Sequence, residues 1–118
     1  MKIFLISPVR LGENQDARKY AEALERYGDE VYYPIRDTNQ VDPTGGWKIC
    51  QKNMSAINNA DEVHIFYHPE SQGIHFDLGV AFALGKKVLL VNTTEWGEYK
   101  NQNKSFLKVI GEWEKRIT

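Results

Sequence analysis

The chain has one cysteine, Cys50. A lone thiol excludes an intrachain disulfide framework and fits a reducing compartment, so a cytoplasmic location is expected. Long hydrophobic runs are also missing. None approaches the ~20 residues that span a bilayer, and no membrane partner is expected. The apolar run Ile3-Phe4-Leu5-Ile6 is too short for a signal-peptide core, and Pro8 and Arg10 follow at once. Neither sign of charge dominates: 15 Lys and Arg face 16 Asp and Glu, for a formal net charge of -1. The adjacent basic pairs Arg18-Lys19, Lys86-Lys87 and Lys115-Arg116 are scattered along the chain. No basic stripe forms, so nucleic acid is not an expected partner. Internal repeats and low-complexity tracts are absent as well. What is present is apolar material for a core: 42% of the 118 residues are hydrophobic and 12% aromatic. Disorder is excluded on that composition, and residues 1–118 are expected to form a single domain.

The pattern along the chain alternates. Ile3 to Ile6 reads as a strand buried on both faces, ended by Ser7-Pro8. Ala17, Tyr20, Ala21, Leu24 and Tyr27 recur at helical spacing, with Gly28 as the stop. Glu30 to Tyr33 is a second strand cut off by Pro34, and residues 35–46 read as a polar loop. A second helix carries Trp47, Cys50, Met54 and Ile57 on one apolar face, and a third strand lies within Asp61 to Tyr67. A third helix, from about Ile74 to Leu84, is apolar on nearly every side and is expected to be well buried; Gly85 closes it. Lys87 to Val91 is a fourth strand, and Phe106 to Ile117 a last amphipathic helix.

Such βα alternation implies right-handed crossovers and a Rossmann-like or flavodoxin-like three-layer α/β sandwich. The parallel sheet is expected to have four strands, with five as the alternative. Ligands of such sheets bind at the carboxyl ends of the strands, where the strand order reverses. Three segments converge there: Ser7 to Gly12, His68 to Asp77, and Asn92 to Trp96.

Within them, Asp77 is the first candidate for chemistry. It lies near the opening of a helix, where the dipole favours an ionised carboxylate that can act as nucleophile or electrostatic stabiliser. The plainer reading is a carboxylate that only complements the helix end. Ser7, Pro8, Arg10 and Gly12 form a loop whose guanidinium and backbone N–H groups suit a phosphate or carboxylate, or else a solvated surface. Asn53, at the edge of the apolar face of its helix, either points into the crevice or is a boundary residue. Asn92 either holds a sugar or base, or makes a turn. His64, His68 and His75 lack metal-ligand spacing, so neither a metal nor another cofactor is expected. Cys50 falls on an apolar face and reads as a small core residue.

The stretch Gly73-Ile74-His75-Phe76-Asp77-Leu78-Gly79-Val80-Ala81-Phe82-Ala83-Leu84-Gly85-Lys86-Lys87-Val88 resembles the nucleoside 2-deoxyribosyltransferase family, which includes the 2′-deoxynucleoside 5′-phosphate N-hydrolases. Ile57 to Val63, Lys2 to Gly12 and Val31 to Pro34 extend the likeness more loosely, over most of residues 2 to 92. The resemblance implies cleavage of a base–sugar bond through a covalent sugar–carboxylate intermediate, with retention. It implies that Asp77 is the nucleophile, that Asn53 stands at the second catalytic position, and that Arg10 anchors a phosphate. Ser7, Pro8, Gly12, Gly73, His75 and Asn92 would line the substrate. It also implies a homodimer or higher homo-oligomer in which a neighbour completes the site.

Two positions depart from the family pattern. The family nucleophile is Glu, one methylene longer than Asp77. The second position is usually a carboxylate, whereas a carboxamide such as Asn53 moves no proton near neutral pH. Glu70 is the available replacement acid. The two functional expectations are therefore an N-glycosidase or deoxyribosyl transferase acting on a nucleoside or nucleoside 5′-monophosphate, and a non-catalytic nucleotide-binding or sensing module on the same fold.

Overall fold

The computed structural model describes residues 1–9, 14–97 and 103–117. Strands β1 (Lys2–Ile6), β2 (Glu30–Tyr32), β3 (Glu62–Ile65) and β4 (Lys87–Leu90) pair in parallel in the order β2-β1-β3-β4. The helices are α1 (Gln15–Arg26), α2 (Pro34–Asp37), α3 (Trp47–Asn59), α4 (Gln72–Ala83) and α5 (Phe106–Ile117). Four strands form the sheet among the described residues, as expected.

Alternation along β1 sets the layers. Ile3 and Leu5 pack with Ala17 and Ala21 of α1, whereas Phe4 and Ile6 join a larger core with residues of α3, α4 and α5. Helices thus cover both faces of the sheet, which is why its strands read as continuous apolar runs. The Asn14 side chain caps α1 by accepting from the backbone N–H groups of Asp16 and Ala17. Gly28 follows α1 at a φ of +96°, a conformation that L side chains rarely adopt. At the sheet edge, the backbone N–H of Leu90 donates to the Glu114 carboxylate of α5.

Three local expectations are corrected. The loop after β2 begins with the short helix α2, because Pro34 starts a helix as readily as it ends a strand. On α3 the buried face is centred on Asn53, with Ile57 and Ala56 beside it; Trp47 and Met54 lie exposed on its flank. Helix α4 is not buried all round. Ile74, Leu78 and Ala81 enter the core, but Phe76 and Phe82 lie on sides of the helix turned away from it and are half exposed.

The sheet reverses direction of winding at β1, with β2 on one side and β3 on the other. A crevice beyond the carboxyl ends of β1 and β3 follows from that order. Helices α3 and α4, which pack on each other and both touch β1, form one wall of it.

Ile57 is fully buried one turn after Asn53 and anchors this wall. Ile57→Ala is expected to cost about 3 kcal/mol of unfolding free energy, read by urea denaturation.

Candidate active site

Asp77 sits on the flank of α4 that faces α3 and is only 9% exposed. Helix α4 starts at Gln72, capped by the Ser71 hydroxyl, so Asp77 lies in the second turn. Dipole stabilisation fades beyond the first turn. Burial dominates instead and pushes the carboxyl up to about 7 from its usual 3.8, against a hydrogen bond from Asn53 that favours the anion. The expectation of a firmly ionised carboxylate is corrected accordingly.

Asn53 is buried opposite Asp77. Its Oδ1 accepts from the Thr38 hydroxyl at 2.9 Å, and the Thr38 oxygen lies 2.6 Å from the Tyr32 hydroxyl. With Oδ1 engaged there, the Asn53 amide nitrogen is the end left for Asp77. Cys50, one turn earlier on α3, lies on the same side. Its thiol is pushed up by burial first, then by the charges of Asp77 and Asp42. Asp42 itself is held down to about 2, chiefly by the Thr44 hydroxyl, and also accepts from the backbone N–H of Ile49 at 3.0 Å.

Ser7 follows β1 directly, and its buried hydroxyl has no hydrogen-bond partner among the described residues. Buried hydroxyls are rarely left in that state, so this one is available to a ligand. Pro8 is buried beside it. Gly73 is exposed on the second residue of α4, with nothing within 4 Å of where a Cβ would stand. Arg10 and Gly12 lie outside the described residues.

Two expected site residues are placed elsewhere. His75 is on the other flank of α4, with its ring 5.0 Å from that of Phe106 on α5. Its Nδ1 donates to the Ser71 carbonyl at 2.7 Å, which leaves Nε2 to accept from the Tyr67 hydroxyl at 2.9 Å. A step of two residues turns a helix by about 200°, so His75 and Asp77 point apart. Asn92 is engaged with the backbone: Oδ1 accepts from the Tyr67 N–H and Nδ2 donates to the Tyr67 carbonyl, both at 2.8 Å. Both residues shape the exit of β3 rather than face Asp77. The three histidines do not converge, since His64 bonds Tyr20 and Glu62 while the His68 and Trp96 rings meet edge to face. Glu70 is exposed.

Thr38 and Tyr32 are the site residues that sequence reasoning missed. The available signal was a threonine in an otherwise surface-like loop, four residues beyond Pro34.

The fold prefers Asp77 protonated. Its contribution to stability is therefore fully present below about pH 4 and is lost as pH rises through 7. Asp77→Asn is expected to exceed the parent protein in stability by up to about 4 kcal/mol above pH 7, with the difference vanishing toward pH 4. Urea denaturation across that range measures it.

Residues 3–110 match the family model for nucleoside 2-deoxyribosyltransferase. Among solved structures, the Clostridium botulinum CMP N-glycosidase BcmB is similar at a TM-score of 0.59 and 25% identity, over 76% of this chain and 70% of that one. The 2-deoxyribosyltransferase of Bacillus psychrosaccharolyticus shares the fold at a TM-score of 0.57 and 20% identity, over 91% of this chain and 96% of that one. A search of curated proteins gives no match.

Proposed function

The chain belongs to the nucleoside 2-deoxyribosyltransferase family, and from that premise we propose that Asp77 is the nucleophile toward a nucleoside or nucleoside 5′-monophosphate. Cleavage or transfer at a base–sugar bond is the chemistry of this family, and the likeness to a CMP N-glycosidase agrees with it. The observation that carries the assignment is a buried carboxyl, hydrogen-bonded by one neutral amide, in the crevice wall beyond β1.

In this reading a carboxylate oxygen of Asp77 forms a bond to the anomeric carbon as the carbon–nitrogen bond breaks. The bonding pair leaves with the base. Water or a second base then attacks the same carbon, and Asp77 departs as the carboxylate. Burial serves this chemistry twice. A poorly solvated carboxylate is a stronger nucleophile, and its charge is neutralised as the bond forms. The Ser7 hydroxyl and the open space over Gly73 receive the sugar or its phosphate, with Arg10 as the phosphate anchor. Asn53 donates a hydrogen bond but no proton. The base must then leave as an anion, take a proton from water, or be protonated before the bond breaks and leave neutral.

Trp47, Met54 and Phe76 are 64%, 48% and 49% exposed on the outer side of α3 and α4, beside the Asp77 flank. So much exposed apolar surface next to a site supports a homodimer or higher homo-oligomer that covers it. Among the described residues no helix is long and apolar enough to cross a membrane. We place the enzyme in the cytoplasm, in keeping with its lone thiol.

Base release is expected from a mixed pool of deoxyribo- and ribonucleosides and their 5′-monophosphates, followed by chromatography. The rate should rise with pH through about 7 as Asp77 ionises. Asp77→Ala should abolish release while a nucleotide still raises its melting temperature. Unchanged release by Asp77→Ala would remove the nucleophile assignment. Binding without release by the parent protein would favour a nucleotide-sensing module.

The double substitution Trp47→Lys and Phe76→Lys is expected to yield a monomer at concentrations where the parent protein self-associates. Sedimentation velocity distinguishes the two.

A further inference from the structure

We propose that Thr38 is a positioning residue of this site: its hydroxyl, itself held by Tyr32, fixes the Asn53 amide so that its nitrogen donates to Asp77. The consequence for catalysis rests on the reading of Asp77 as nucleophile; the positioning itself does not.

The two ends of a carboxamide are nearly identical in shape, so a buried Asn can turn over unless its neighbours distinguish oxygen from nitrogen. Asp77 alone does not settle the matter. An ionised carboxylate accepts only from the nitrogen end, but a protonated carboxyl also donates to the oxygen end. With the carboxyl poised at about 7, both forms are populated near neutral pH. An additional constraint has to choose.

Thr38 supplies it. This residue ends α2 and is buried. Its oxygen is 2.9 Å from Asn53 Oδ1 and 2.6 Å from the Tyr32 hydroxyl. A threonine hydroxyl has a single proton. Spent on Asn53, it leaves the Thr38 oxygen to accept from Tyr32. The reverse order, with Asn53 turned and Thr38 donating to Tyr32, would send the Tyr32 proton to the Asp37 carbonyl, which at 3.4 Å is a much poorer acceptor than Thr38 at 2.6 Å. Direction therefore runs from Tyr32 to Thr38, from Thr38 to Asn53 and from Asn53 to Asp77. The Tyr32 ring is stacked on Phe4 of the central strand, with centroids 5.6 Å apart and planes 11° from parallel. The orientation of a catalytic carboxyl is thereby referred back to the core of the sheet.

No competing charge from the described residues sets Asp77. Among the described residues the groups that act on it are its own burial and Asn53. The ionisable neighbour from α3 is the Cys50 thiol, whose raised position keeps it neutral in the same range. Loss of the Thr38 donor therefore has one expected direction. The Asn53 oxygen is left without its partner, the amide turns, and the Asp77 anion loses its hydrogen bond.

The test compares Thr38→Val, which keeps the shape and removes the donor, with Thr38→Ser, which restores it. The first readout is the Asp77 carboxyl titrated by carbon-13 NMR, which needs no turnover. The second is the pH profile of base release. In Thr38→Val the Asp77 midpoint should move to higher pH, and release below pH 7 should fall about 10-fold, with a smaller change on the alkaline plateau. Thr38→Ser should return both toward the parent values. Tyr32→Phe, which keeps the stacked ring, should move the midpoint in the same direction by less, and it carries the test if Thr38→Val does not fold. A folded Thr38→Val or Tyr32→Phe that titrates Asp77 at the parent midpoint would overturn the proposal. A shifted midpoint in a protein that releases no base from any substrate would leave the positioning role standing and remove the glycosidase reading instead.

Discussion

A carboxyl group withheld from water, with a single neutral amide among the described residues to favour its charge, is the constraint on which this molecule turns. Burial of Asp77 opposes ionisation, and Asn53 only partly offsets it. The result is a group near its midpoint at neutral pH, where folding favours one protonation state and the chemistry requires the other. Such opposition between stability and activity is common where function asks for a strained or poorly solvated group. The large cores on both faces of the sheet are what make it tolerable.

The architecture brings the pieces together economically. Asn53 precedes β3 on α3, and Asp77 follows β3 on α4. One parallel strand with its two flanking helices thus delivers both side chains to the same wall. The hydroxyls of Thr38 and Tyr32 come from the segment around β2 on the other side of β1. Residues from both sides of the central strand meet at the point where the winding reverses. A loop-borne pair would lack that rigidity, because loops carry fewer contacts to fix them.

Much of this was legible in the residues. The βα alternation and the parallel sheet follow from spacing, because buried strands and amphipathic helices have distinct periods; the family comes instead from the likeness of the stretch Gly73 to Val88 to known sequences. Asp77 and Asn53 were both readable as candidates. Their environment was not. Hydropathy draws the wheel of α3 through Trp47 and Met54, since it counts a residue as inward without knowing whether anything exists to cover it. That choice put Asn53 at the edge of a face whose centre it occupies. A third helix that starts at Ile74 rather than Gln72 brings Asp77 about half a turn closer to the helix end, into the reach of the dipole, and so hides the part played by burial. Thr38 was out of reach because its partner is fixed by the path of the chain after α2, and a four-residue helix is too short to leave a periodic signal. His75 and Asn92 do stand at the carboxyl end of β3, but their hydrogen bonds to Tyr67 and Ser71 turn them away from Asp77.

Asn92 does something for the sheet that a backbone segment would otherwise do. Its amide offers the Tyr67 peptide one acceptor and one donor, as a neighbouring strand would, just where the pairing of β3 with β4 runs out. The chain beyond residue 92 is thereby released from any obligation to stay in register. The Trp96 indole, which donates to the same Tyr67 carbonyl at 2.8 Å, is the second side chain that closes this end of β3 without a further strand.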